Sequence, residues 1–250
     1  MNTSRCEIYW ASPADADPRL TEFLDETESA RLARFVQEAD QARYLVSHAL
    51  ARLAVARALQ MAPAKVLFSR TCRRCGGDHG KPQPPAPAEL SISHSGQRVA
   101  VAVTSHTPVG VDVEQVDRRL ELEQLAPSIL TPYEQTELSR LPADARQDGL
   151  LRYWTRKEAV LKATGYGLMV APDTIAVSAP DQPPRLVSWA APDAQHPPAS
   201  SQPATSEPTP GGMRLLDIDP DGDHVACVAF LSDTAPTVTQ HHDPFGSGLI

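Results

Sequence analysis

Three short stretches of this 250-residue chain gather side chains able to do chemistry. In GVDVE, Asp112 and Glu114 stand two residues apart in a run whose alternation predicts a strand. Period-two geometry puts both carboxylates on one face, roughly 7 Å apart along the backbone. Such a pair in isolation fits a solvated strand face. Two converging hard oxygens are also what magnesium takes when substrate phosphates complete its shell. In WTRKEAVLKATGYGL, a helix starting near Trp154 brings Trp154, Glu158, Leu161 and Lys162 to one side, with Trp154 and Leu161 as apolar anchors. Glu158 and Lys162, at i,i+4, read either as a weak surface ion pair or as an acid–base pair fixed at a pocket edge. In the second reading Glu158 is a third magnesium ligand. ELSISHSG adds Ser93 and His94 at a strand end, a pair able to hold a phosphate.

A fourth stretch, CRRCGGDHGKP, supports two readings. Cys72, Cys75 and His79 have the spacing of half a zinc site. A closed tetrahedral site needs four ligands, so the fourth would have to come from far away, from Cys6, Cys227 or His241. The same stretch ends in Gly80, Lys81 and Pro82, where glycine and proline constrain the backbone on either side of a lysine.

The elements that must carry these residues follow from periodicity. Residues 20–60 read as helical: a stripe from Leu20 through Phe35, then a second helix from about Asp40 to Gln60 that stops before Pro63. Residues 62–88 read as loop. ELSISHS, RVAVAVT and VGVDVEQVD predict three strands, the last with Val109, Val111 and Val113 opposite Asp112 and Glu114. Residues 120–141 read as helical with a restart at TPYE, where Thr131 caps and Pro132 occupies the first turn. Residues 150–164 form a strong helix ended by Gly165. TIAVS, MRLLDID and HVACVAFL return to strand character. Residues 179–212, rich in Pro, Ser, Ala and Thr, read as a long flexible insertion, and the tail TQHHDPFGSGLI has no pattern. Helix, hairpin, helix and hairpin in succession suggest a duplicated α+β architecture.

Composition narrows the class. A formal charge of −8 disfavours wholesale nucleic-acid binding, while leaving room for a local basic pocket for a small phosphorylated ligand. No apolar run reaches the roughly 20 residues that span a bilayer. MNTSRCEIYW has neither a basic n-region nor an apolar h-region, which predicts no signal peptide. Four scattered cysteines argue against a disulfide framework and for a reduced, cytoplasmic enzyme.

Taken in order, HGKP, SISHS, GVDVE and WTRKEAVLKATGYGL resemble the signature set of the 4′-phosphopantetheinyl transferases, specifically the surfactin-synthetase-activating (Sfp-like) branch. The resemblance spans roughly Glu28 to Leu168. It implies a pseudo-twofold pair of similar α/β subdomains, over about 1–108 and 109–235, with a tail at 236–250 and the active site in the cleft between them. It also implies a reaction that moves the phosphopantetheine arm of coenzyme A onto a serine of an apo acyl or peptidyl carrier protein. By that resemblance Asp112, Glu114 and Glu158 hold Mg²⁺, Glu158 takes the serine proton, and Lys162 stabilises the departing phosphate. His94 and Ser93 match phosphate contacts, Lys81 and Pro82 a coenzyme A contact, and Arg43 the arginine on the 3′-phosphate. Family members often place lysines in the helix ahead of that arginine; here the cations are Arg31 and Arg34. Arg118, Arg119, the TPYE helix, Leu168 and Met169 are candidates for carrier docking. The branch implies a monomer, and charge and hydropathy predict neither nucleic acid nor membrane as partner.

Overall fold

Two units of the same design follow one another along the chain, in a computed structural model that describes residues 4–71, 76–117, 122–189, 209 and 211–246. The first runs β1 (Arg5–Ala11), α1 (Glu26–Leu32), α2 (Glu38–Leu59), the hairpin β2 (Ser69–Thr71) and β3 (Asp78–Gln83), then β4 (Ala88–Ser95) and β5 (Arg98–Ser105). The second begins with β6 (Val109–Gln115), α3 (Ala126–Ile129), α4 (Pro132–Arg140) and α5 (Ala143–Thr164). It continues with the hairpin β7 (Ile175–Val177) and β8 (Leu186–Trp189), then β9 (Met213–Ile218) and β10 (His224–Leu231). The sheet orders are β1-β5-β4 in the first unit and β6-β10-β9 in the second. In each, the first strand pairs with the last and the middle strand lies on the far edge. This matched topology is the pseudo-twofold α+β fold expected from the sequence.

Alternation explains how the layers stack. On β5, Val99, Val101 and Val103 face α2, while Ala100 and Ala102 face the other way. On β10, Cys227 and Ala229 face α5, while Ala226, Val228 and Phe230 turn away from it. The residues that turn away meet in a third core with Cys6, Ile8, Trp10 and the three valines of β6, so the two sheets are packed face to face with a helix on each outside face. The valines at 109, 111 and 113 are 0 % exposed. Gly110, Asp112 and Glu114 therefore point at α5.

Several elements differ from the sequence expectation. RCEIYWA is a strand, β1, whose Cys6, Ile8 and Trp10 fill the inter-sheet core. The stripe over 20–35 is broken by Asp25, whose carboxylate accepts from the Glu28 N–H and starts α1 afresh as a capping box. The stretch 62–88 contains the β2–β3 hairpin, so Lys81 and Pro82 sit on a strand rather than in a loop. Pro82 is tolerated because a two-stranded ribbon leaves an open edge. Gly80 is there because a methyl group would collide with the Thr71 carbonyl of the paired strand. Within the expected insertion, Leu186–Trp189 pairs with β7, while 190–208 and 210 lie outside the described residues. The tail is not patternless: β11 (Thr237–His241) lies parallel to β1 and returns the chain to the first sheet. Trp10 Nε1 donates to Gln240 at 2.7 Å, and the His241 ring stacks on Tyr9 with 4.7 Å between centroids.

One buried ion network ties α1 to α2 and the hairpin. Glu28, 1 % exposed, accepts from Arg52 at 2.5 Å, from Arg70, and lies 3.1 Å from His48 Nδ1. Burial raises the pKa of this carboxyl, but the hydrogen bonds from His48, the Asp25 backbone and Arg52 outweigh it and hold it at about 2. Because the folded pKa lies below the ordinary 4.5, the network stabilises the fold above that pH and the contribution is lost as pH falls toward 2. Denaturant titrations at pH 6 and pH 3 are therefore expected to show a loss of stability that is smaller in Glu28→Gln than in the parent chain.

Candidate functional site

The site lies where β6 crosses α5 beside the edge of β4. The crossing is close because Gly110 lacks a side chain; a methyl there would run into the Ala159 carbonyl and the Ala163 amide of α5. Two residues along the same face, Asp112 comes under the helix and is 3 % exposed. The reading of a solvated strand face therefore fails. Lys162 Nζ donates to Asp112 Oδ1 at 2.7 Å, to Ser93 Oγ at 2.9 Å and to the Val111 carbonyl at 3.1 Å. Lys162 thus reaches across to the strand instead of closing an i,i+4 pair with Glu158. Glu158 remains with a buried Oε1 that has no hydrogen-bond partner, as has Asp112 Oδ2.

Glu114 is held from two sides. Ser95 Oγ donates to Oε2 at 2.8 Å and Trp154 Nε1 donates to Oε1 at 3.0 Å. Trp154, expected only as a core anchor, thereby orients a carboxylate. Burial, then the Asp112 charge, raise the Glu114 pKa against the pull of those two donors. Burial, then Asp112, also push Glu158 up to about 7, opposed by Lys162. Among the described residues no three His, Cys, Asp or Glu side chains already close into a ligand shell. What the site offers is two unpartnered, buried carboxylate oxygens among mutually repelling acids, the surroundings that a small hard cation relieves.

The other expected residues sit around this centre. On β4, Ser93 faces β6 and its hydroxyl is fully used: it donates to Asp112 at 2.8 Å and accepts from Lys162 and from the Val113 amide at 3.3 Å. A phosphate contact from Ser93 would require one of these to be exchanged. His94 falls on the opposite face of β4, exposed, toward α2. Desolvation first, then the nearby Lys162 and Arg43 charges, lower its pKa, which favours the neutral imidazole. Arg43 binds Asp40 and reaches the Gly96 carbonyl at 3.4 Å. Lys81 donates to the Val109 carbonyl at 3.1 Å and to the Lys162 carbonyl at 3.0 Å, bridging the hairpin of one unit to the strand and helix of the other.

A groove of about 910 Å³ runs along this junction, bounded by Lys81, Pro82, Leu90, Ile92, Lys162 and Tyr166. A second, about 760 Å³, is lined by Arg31, Arg34, Arg70, Phe35 and Tyr44, three cations beside two aromatic rings. Arg70 was not anticipated; it enters this groove from β2, a strand that sequence periodicity did not reveal. Ser91 and Ser95 were also missed, although serine at every second position of SISHS was the available signal.

The zinc-knuckle reading finds no support. Cys72 and Cys75, like Arg118 and Arg119, lie outside the described residues, as do the side chains of His79 and Leu168. Cys6 and Cys227, offered as distant ligands, are free thiols 0 % exposed in the cores, their pKa values raised by burial. His241 is taken up by Glu7 at 2.6 Å.

The family described as 4′-phosphopantetheinyl transferase superfamily matches over residues 108–229, and that described as 4′-phosphopantetheinyl transferase, N-terminal, over 9–106. Curated relatives include a 4′-phosphopantetheinyl transferase of Bacillus subtilis, 28 % identical over 70 % of this chain and 75 % of its own length. The 4′-phosphopantetheinyl transferase HetI of Nostoc sp. (strain PCC 7120) is 29 % identical over 88 % of this chain and 85 % of its own. The 4′-phosphopantetheinyl transferase Sfp of B. subtilis (strain 168) is 28 % identical over 68 % and 74 %. With two matched halves, a carboxylate strand laid under a Lys-Glu helix and these relatives, the chain belongs to the Sfp-like branch of the 4′-phosphopantetheinyl transferase superfamily.

Proposed function

We infer that this enzyme moves the 4′-phosphopantetheine arm of coenzyme A onto a serine hydroxyl of an apo carrier protein. The observation that carries the mechanism is the gathering of Asp112, Glu114 and Glu158 around Lys162 at the seam of the two units, with two carboxylate oxygens unpartnered. These residues fit a magnesium ion, because hard oxygens from two or three carboxylates complete their shell with substrate phosphates. Such an ion would supply charge neutralisation at the pyrophosphate under attack.

The chain's own groups do the rest. Glu158, made more basic by burial and then by the Asp112 charge, which bring its pKa up to about 7, acts in its ionised form and accepts the proton of the carrier serine as the serine Oγ forms a bond to the β-phosphorus of coenzyme A. The bond from that phosphorus to the bridging pyrophosphate oxygen breaks, and adenosine 3′,5′-bisphosphate leaves. Lys162, whose three N–H bonds go to Asp112, Ser93 and the Val111 carbonyl, exchanges one of them to donate to the departing phosphate. His94 contacts phosphate, Arg43 the 3′-phosphate, Lys81 reaches the phosphates of coenzyme A and Pro82 lies against the same co-substrate. The cationic groove of Arg31, Arg34 and Arg70 supports a site for the same anionic end.

Carrier docking falls to the segments around α3, α4 and Met169, where Leu125, Tyr133 and Met169 are exposed apolar residues. Buried Lys157 joins these segments through the Ile129 carbonyl at 2.7 Å, Glu134 at 2.6 Å and the Pro172 carbonyl at 3.0 Å. Both sides of the cleft come from one chain, which supports a monomer as the active unit. The free thiols of Cys6 and Cys227 suit the reducing cytoplasm, where coenzyme A and apo carriers meet. Among the described residues no helix is long and apolar enough to cross a membrane.

Incubating the protein with coenzyme A, Mg²⁺ and several apo carriers, read by intact mass, is expected to add one phosphopantetheine arm per carrier. Unchanged carriers, beside an active control transferase, would refute the reading.

A further inference from the structure

The two sheets meet at β4 and β6 without joining. Strand β6 pairs with β10 on one edge, and β4 pairs with β5. The amides of Val111, Val113 and Gln115 point away from β10, along an edge where backbone donors would otherwise go unmet. Each is met by a serine of β4. Ser91 Oγ accepts from Val111 at 2.9 Å, Ser93 Oγ from Val113 at 3.3 Å and Ser95 Oγ from Gln115 at 3.1 Å. Both strands have a period of two, so serines at i, i+2 and i+4 match amides at j, j+2 and j+4 in register. Side-chain hydroxyls take the place that carbonyls of a neighbouring strand would fill.

The rungs differ in what the hydroxyl does with its own hydrogen. Ser93 donates to Asp112 and Ser95 donates to Glu114, both at 2.8 Å, whereas among the described residues no carboxylate accepts from Ser91. Two rungs therefore measure the distance between the strands and aim an acid in the same act.

We propose that Ser95, with Ser93, is a positioning residue: the serine ladder on β4 holds Asp112 and Glu114 in the orientation that binds the divalent ion. This rests on the functional reading above. Ser91 is the internal comparison, a rung with the same backbone bond and no carboxylate.

The test uses the full chain, with saturating coenzyme A and Mn²⁺ as the probe, its binding followed by electron paramagnetic resonance and its thermal unfolding recorded in parallel. Outer-shell donors to metal ligands are typically worth a factor of about 10 or more in ion affinity, so Ser95→Ala is expected to weaken Mn²⁺ binding about 10-fold. Ser95→Thr, which keeps the hydroxyl, restores affinity to within about three-fold of the parent by the same reasoning. Ser91→Ala lowers the unfolding temperature but changes Mn²⁺ affinity by less than about two-fold, since it removes a backbone bond alone. Parent-like affinity in Ser95→Ala, equal weakening in Ser91→Ala, or no Mn²⁺ binding by the parent chain overturns the proposal. Failure of the parent chain to modify any carrier overturns the functional reading instead, while transfer by the parent with parent-like Mn²⁺ affinity in Ser95→Ala overturns the ladder alone.

Discussion

Replacing Glu158 by glutamine is expected to lower kcat/KM for phosphopantetheine transfer by at least about 1000-fold, the combined effect of losing the proposed proton acceptor and the proposed ion ligand. The same change should leave the ion-free protein as stable as before, or more so. Glu158 Oε1 is buried without a hydrogen-bond partner, and the Asp112 and Glu114 charges oppose its ionisation as a third acid in the same space. A neutral amide of equal size relieves that repulsion and can itself donate. Asp112→Ala should behave differently. It abolishes transfer and also lowers the melting temperature, because Lys162 and Ser93 both lose the carboxylate they bind. Single-turnover rates by intact mass, with thermal melts in chelator, check both. A Glu158→Gln variant with more than about a tenth of parent activity, well above what loss of a catalytic acid–base group allows, would remove it from the mechanism.

Gly110→Ala is the second large effect, and it acts on the frame. The added methyl meets the Ala159 carbonyl and the Ala163 amide, backbone atoms of a 22-residue helix that cannot turn aside as a side chain would. Either α5 slides outward or β6 bends away from it. Overpacking of this kind costs about 3 kcal/mol, which for a chain of this length lowers the melting temperature by roughly 6–12 °C. Because Lys162 and Asp112 face each other across that contact, activity at temperatures where the variant remains folded is also expected to fall. A variant with parent-like melting temperature and rate would mean that the crossing is looser than its geometry.

Much of this was legible in the sequence because the relevant residues carry their own pattern. VGVDVEQ alternates strictly, and α5 keeps helical spacing through Glu158 and Lys162, so the carboxylates and the lysine could be read before any fold was known. The hairpin that carries Lys81 was hidden by Gly80 and Pro82, residues that ordinarily mark turns. Here one permits close pairing and the other sits on an open edge. Strand β11 escaped because TVTQH offers a single apolar residue, Val238; parallel pairing to β1, the packing of Val238 on the inter-sheet core and the contacts of Gln240 and His241 hold it. Long-range partners were equally silent. Nothing in WTRKEA says that Trp154 donates to Glu114 forty residues earlier, nor that Lys162 prefers Asp112 over its helical neighbour.

Strand β6 leaves very little freedom to evolution. Its odd-numbered valines belong to the core shared by both sheets, and its even positions form the floor of the proposed reaction site. A core valine exchanged for a larger or smaller side chain would tilt the strand, and every tilt is transmitted one residue along to an acid. Substitutions that look purely architectural at Val111 or Val113, or opposite them at Ala226 and Val228, should therefore tune catalytic rate as a set-screw tunes an optical mount. In this protein the search for altered activity can begin at residues that no substrate ever touches.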